Sequence, residues 1–338
     1  MTLCVALCAG FTACGDDDKD ENDPIPVPVD RIPANAVYTT KAGNKVVVRD
    51  ISGYGFTYNT DGLCTQLGSM NIFYSGGLII YGDTQAKFKM NEMGYITEAD
   101  CVYSQKETET SVSQEVKSRF TYNGDGYLVK ITEEGTQSEM NLTTGVDSYM
   151  EWTTESTYSW NGGKLIKRSC LQTGETNGEK YRWSQVCVIQ SGGVENILGQ
   201  YTDAYSQIAY SNLGDIIPLI GLLGKAPSEF IQSVAASTSY IDSENQEDST
   251  VVLTWNYDFN TNGTIATETV RDSDGNENVW KYSYDILSNS LLAAPARSYV
   301  PAKPEMRMHD SWREVRRAHL GSPIAPALRH SGAFLRHP

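Results

Sequence analysis

Histidine is missing from the first 295 of the 338 residues; all four (His309, His319, His330, His337) lie near the C-terminus. A Ser-His-Asp triad therefore cannot form within the body of the chain. There is no G-x-S-x-G elbow and no phosphate-binding P-loop. No Cys-x-x-Cys pair stands among Cys64, Cys101, Cys170 and Cys187, so zinc and dithiol motifs have no support. No metal site and no cofactor are expected. No run of 18 apolar residues occurs, so no membrane-spanning helix is expected. Positive charge is also short: 27 Lys+Arg face 42 Asp+Glu, for a net charge of -15. Such a chain repels a phosphate backbone, which excludes nucleic acid as an expected partner. From Ala296 to Pro338 the balance reverses to 8 basic and 3 acidic residues, leaving -20 on the rest.

The N-terminus has a different character. Met1 to Ala13 is apolar and rich in small residues, like the core of a secretory signal. Phe11-Thr12-Ala13-Cys14 resembles the lipobox of bacterial lipoproteins. The acidic run from Asp16 to Glu21 after it resembles the surface-export tag of Bacteroidetes lipoproteins. Cys14 is the expected lipid attachment site, and the membrane an expected partner through that lipid. Acyl chains contribute about 0.8 kcal/mol per buried CH₂, enough for several chains to hold a soluble domain. Ile25 to Pro33 alternates proline with apolar residues and reads as an extended spacer.

A single motif recurs in the body: an aromatic or apolar residue, Asn or Asp, two residues, Gly, one residue, then an apolar one. The copies turn on Asn59 and Gly62, Asn91 and Gly94, and Asn123 and Gly126. A contracted copy has Asn161 and Gly163; an expanded one runs from Asp258 to Gly263. The glycines at 62, 94 and 126 are 32 residues apart, and the next interval is 37. A constant interval means serial supersecondary units. Asn or Asp caps a turn and Gly supplies positive φ, while flanks such as Leu128-Val129-Lys130-Ile131 alternate with period two. The expected fold is all-β: a large curved antiparallel meander, open or partly closed like a barrel, with one short helical insertion. That insertion is placed at about 213–236, where Leu213 to Gly224 is apolar without alternation and Pro227 stands at the first turn of a second short helix. It reads as a core plug, with a membrane-dipping hairpin as the alternative. If the sheet stays open, this segment is the expected cover of its edge.

With these elements in this order, the chain resembles a family of Bacteroidetes outer-membrane lipoproteins of unknown function. The resemblance rests on the hairpins, on Gly221-Leu222-Leu223-Gly224-Lys225-Ala226-Pro227-Ser228-Glu229-Phe230, and on Trp255-Asn256-Tyr257-Asp258. It implies a porin-like antiparallel sheet, and it brings no catalytic residues. The expected organisation is a signal at 1–13, a tether at 14–36, the β domain at 37–294 and a basic, non-native or disordered tail at 295–338.

The remaining candidates are weaker. Trp152, Trp160, Trp183, Trp255 and Trp280 all lie in expected strands, where they could stack on a ligand or pack a core. The four cysteines of the domain read as buried thiols rather than bridges. Asp272-Ser273-Asp274-Gly275-Asn276 opens like a calcium loop, but Glu277 replaces the required sixth-position glycine, so it reads as a turn. The expected function is a non-catalytic, surface-exposed binding module at the outer membrane, for a glycan or an envelope protein. The alternatives are an envelope assembly component and a glycan hydrolase, the last needing two carboxylates facing each other in a cleft.

Overall fold

The computed structural model describes residues 35–287, except 107–109, 146, 210, 212, 214–216 and 242–247. Cys14, the signal, all of the tether but its last two residues, and the basic tail lie outside the described residues. Seventeen strands form one antiparallel sheet among the described residues. They are β1 (Val37–Thr39), β2 (Lys45–Ile51), β3 (Tyr54–Tyr58), β4 (Cys64–Leu67), β5 (Met70–Phe73), β6 (Leu78–Tyr81), β7 (Thr84–Met90), β8 (Ile96–Lys106) and β9 (Thr110–Tyr122). After them come β10 (Leu128–Asn141), β11 (Asp147–Asn161), β12 (Lys164–Thr176), β13 (Glu179–Glu195), β14 (Glu229–Tyr240), β15 (Ser249–Phe259), β16 (Ile265–Asp272) and β17 (Glu277–Ile286).

The sheet closes, where an open or partly closed one was the expectation. From β2 to β17 each strand pairs with the next, and β17 returns to β2 through Tyr282↔Ile51 and Ile286↔Val46. Sixteen strands make this ring. β3 pairs with β2 only at Asp50 and Ile51, and β1 takes up the other half of that edge at Lys45 to Val47. Closure removes the free edges, so no covering segment is needed there.

Each Asn turn is built alike. The Asn123 amide donates to the Tyr127 carbonyl at 3.0 Å, and the Gly126 amide to the Asn123 carbonyl at 3.0 Å. The Asn123 side-chain oxygen accepts from the Asp125 and Tyr127 amides at 3.1 and 2.9 Å. Asn59 and Asn91 repeat the pattern. Asn161 and Lys164 pair directly across Gly162 and Gly163, both at positive φ, which makes a two-residue hairpin. In the expanded copy the turn residue is Asn260, not Asp258. The Asn260 amide donates to Thr264 and the Gly263 amide to Asn260, while Asp258 is exposed on β15 and accepts from Thr267. Asp272 forms the same turn, its carboxylate accepting from the Asp274 and Asn276 amides. Thr40 makes another through its hydroxyl, with Gly43 in the fourth place. We expect Asn123→Ala to cost about 1 kcal/mol in urea unfolding, as loss of a side-chain cap does at a helix start.

The helical insertion is displaced from its expected place. The α-helix, α1, is Asp203–Ile208, and only a 3-10 turn, Ile217–Ile220, falls inside the expected span. The expected second helix is instead β14. There Val234, Ala236 and Thr238 face inward with period two, and β13 and β15 supply backbone partners on both sides.

Candidate functional site

Chain alternation sorts the turns to two ends. The turns on Asn59, Asn91, Asn123, Asn161 and Asn260 share one end, the near end, where the chain also leaves β13 and enters β14. Residues 222–228 run round that rim as a strap. The Ile96 amide donates to the Leu222 carbonyl at 2.9 Å; the Lys225 and Ser228 amides donate to the Gly126 and Gly163 carbonyls at 2.9 Å. A Cβ on Gly224, at φ +89°, would lie 3.0 Å from both the Gly126 oxygen and the Leu128 nitrogen. Two of the motif glycines are followed by a tyrosine that covers the next one: Tyr95 lies over Gly126, and Tyr127 over Gly163. Tyr127 in turn stacks on Trp160 at 4.4 Å.

Inside, α1 fills the lumen. All six of its residues are buried, and Ile217, Ile220, Leu222 and Leu223 join the same core. The described apolar residues of this segment are thus core, as a plug would have them. Glu268 on β16, fully buried, receives the start of the helix. Its carboxylate accepts from the Asp203 and Ala204 amides, both at 2.9 Å, and from the Tyr282 hydroxyl. Burial, then the nearby Asp203 carboxylate, push the Glu268 pKa up to about 7. The groups that hold its charged form are these neutral donors.

A second buried polar group crosses β9 to β14. Arg168 donates to Gln185 and Ser156 at 3.3 Å each. Gln185 donates to Thr238, and Glu133 accepts from Ser118. Cys64, Cys101, Cys170 and Cys187 are buried and unbridged, and burial raises the Cys64 and Cys101 thiols to about 12. Those two are inert as nucleophiles at neutral pH.

The five tryptophans do not form a surface. Trp152, Trp183, Trp255 and Trp280 are buried, and Trp160 is half-buried, its indole N–H donating to the Leu128 carbonyl at 2.7 Å. Alternation on β11, β13, β15 and β17 turns the four buried rings inward, away from a ligand at the outer wall. Glu268, α1 and the Arg168 group carry no motif in the sequence. Thr-Glu-Thr at 267–269 reads as an ordinary alternating strand, and nothing local marks its inward residue as a carboxylate.

No protein-family model matches the chain, and no curated protein matches it. Among solved structures, it is similar to a porin-like protein from Bacteroides vulgatus ATCC 8482, at 14% identity over 71% of this chain and 99% of that one, with a TM-score of 0.47. A porin-like protein from Bacteroides uniformis ATCC 8492 is 11% identical over 62% of this chain and 93% of that one, with a TM-score of 0.27. Similarity at this level carries no function across, and only this chain's own residues bear on it.

Proposed function

We propose that the protein is a non-catalytic binding module, tethered to the outer membrane through lipid on Cys14 and displayed in water at the cell surface. One observation carries the reading: the polarity of the barrel wall. A membrane-spanning barrel shows lipid an apolar outer band about 25 Å tall and keeps its interior polar. Here the apolar core is inside and charge is outside. On β11 the inward residues are Met150, Trp152, Thr154, Ser156 and Tyr158; the outward ones include Glu151, Thr153, Glu155 and Thr157. Lys117, Arg119 and Glu134 continue the charged outer face on β9 and β10. Charged side chains at a bilayer midplane would cost up to several kcal/mol each. At the near end, α1 with Ile217, Ile220, Leu222 and Leu223 packs the interior.

The unlipidated chain is expected to be monodisperse in detergent-free buffer and to give no conductance in planar bilayers. Stepwise conductance, or solubility only in detergent, would overturn the reading. Hydrolysis of glycans has little support, because Glu133, Asp203 and Glu268 are sealed from solvent. An envelope assembly role has one observation in its favour. Val188, Ala235 and Val252 are register neighbours on the outer wall of β13 to β15, and Val188 and Val252 are exposed with Ile166 and Val186 nearby.

A further inference from the structure

The end of the barrel away from the strap is built differently. The wall is uneven: β9 to β13 have 13 to 17 residues each, whereas β3 to β6 have 4 or 5. β7 begins at Thr84, paired with Tyr103, and the tall wall continues past that level. At this rim one paired row runs Tyr103, Gln114, Gln137, Met150, Thr176. Strand alternation turns all five to the inner face, in line with the buried residues below them. Tyr103, Gln114 and Gln137 are half-buried, so solvent reaches them from the mouth. Gln105 stands two pairs higher.

The row beneath is organised around two rings. Gly135, Trp152, Gly174 and Tyr181 are paired neighbours in that order. A Cβ on Gly135 would lie 2.2 Å from the Trp152 indole, and one on Gly174 2.5 Å from the Tyr181 ring. The Trp152 ring therefore packs against Gly135, and the tip of Tyr181 against Gly174. Tyr181 is half-buried, and its hydroxyl accepts from Gln172 at 3.1 Å. Thr176, 9% exposed as a residue, stands at the rim with its hydroxyl oxygen sealed from solvent and without a partner among the described residues.

We propose that this far mouth binds a neutral saccharide. The inference rests on the binding-module reading and names its site and ligand class. The lining is uncharged along the row, and its planar amides each donate and accept, as vicinal hydroxyls require. A flat tyrosine ring suits the C–H face of a pyranose and keeps a polar tip for its edge. Glu139, on the inner face two pairs above Gln137, and the acidic body disfavour anionic ligands.

The test uses the full chain, unlipidated, against neutral gluco-, manno-, galacto- and xylo-oligosaccharides of two to six units. Sialylated and sulfated glycans and a peptide library serve as the other arms. Calorimetry is expected to find a neutral oligosaccharide that binds and raises the melting temperature. Gln114→Ala with Gln137→Ala is expected to weaken it at least tenfold without moving the melting temperature of the free protein. Tyr181→Ala is expected to do the same, and the glutamine pair decides if that variant fails to fold. Binding only by acidic glycans or peptides, no binding at millimolar saccharide, or full binding by the glutamine variant would each overturn the site. A chain that meanwhile stays monodisperse without detergent separates that failure from failure of the tethered-module reading.

Discussion

Glu268→Ala is expected to destabilise the protein by about 3–5 kcal/mol, lowering the melting temperature by roughly 10 °C. The substitution leaves the Asp203 and Ala204 amides and the Tyr282 hydroxyl without their acceptor, and each lies in the sealed interior. An orphaned buried donor costs about 1–3 kcal/mol, and three share this site. Loss of the side-chain volume adds to it. Urea unfolding of the purified chain measures the effect, and a loss below about 1 kcal/mol, the lower bound for one orphaned donor, would show that α1 does not depend on this anchor.

The same carboxyl gives a pH signature. Its folded pKa, about 7, lies above the usual 4.5 because burial and Asp203 both disfavour the charge. Between those values the unfolded chain has released the proton and the folded chain still holds it. Stability therefore falls as pH rises through this window, and is level above it. Other carboxyls titrate near its lower edge, so the readout is a difference. The stability of the wild type relative to Glu268→Gln is expected to decrease from pH 5 to pH 8. Parallel profiles would place the titration elsewhere.

Trp255→Ala is expected to cost about 3–5 kcal/mol. Its ring is 1% exposed and lies in the core with Val234, Leu253 and Val270. Removing it leaves a void that the rigid hydrogen-bonded wall cannot collapse to fill. Saccharide binding at the far mouth is expected to survive in whatever fraction stays folded. Weakened binding with unchanged stability would return Trp255 to the role of a stacking platform.

The Leu222 to Ser228 strap shows how a sequence pattern and a structure can explain one another. The pattern is visible in the sequence as an apolar stretch ending in Gly-Lys-Ala-Pro-Ser. Its meaning lies in the spacing of three between Leu222, Lys225 and Ser228, which matches the spacing of successive near-end hairpins, two strands apart on the rim. Pro227 suggests a helix start, because a proline at the head of an apolar run is the same local signal in either case. Asp258 competes with Asn260 for a similar reason, since both stand ahead of Gly263 in one polar stretch. The Asn-x-x-Gly spacing from Asn260 to Gly263 is the better guide.

What the chain determined by itself was local: all-β structure, the Asn-x-x-Gly turns, and the alternation that sorts each strand into two faces. These depend on residues within a few positions of each other, where turn geometry and side-chain period act. Which face became the inside was decided only by tertiary structure. Pairing β17 with β2 closed the sheet, and closure turned Trp152, Trp183, Trp255 and Trp280 into core. It also brought Glu268 to the start of a helix 65 residues away in sequence. No local rule records such a contact, because its energy comes from burying groups that meet only once the ring is complete.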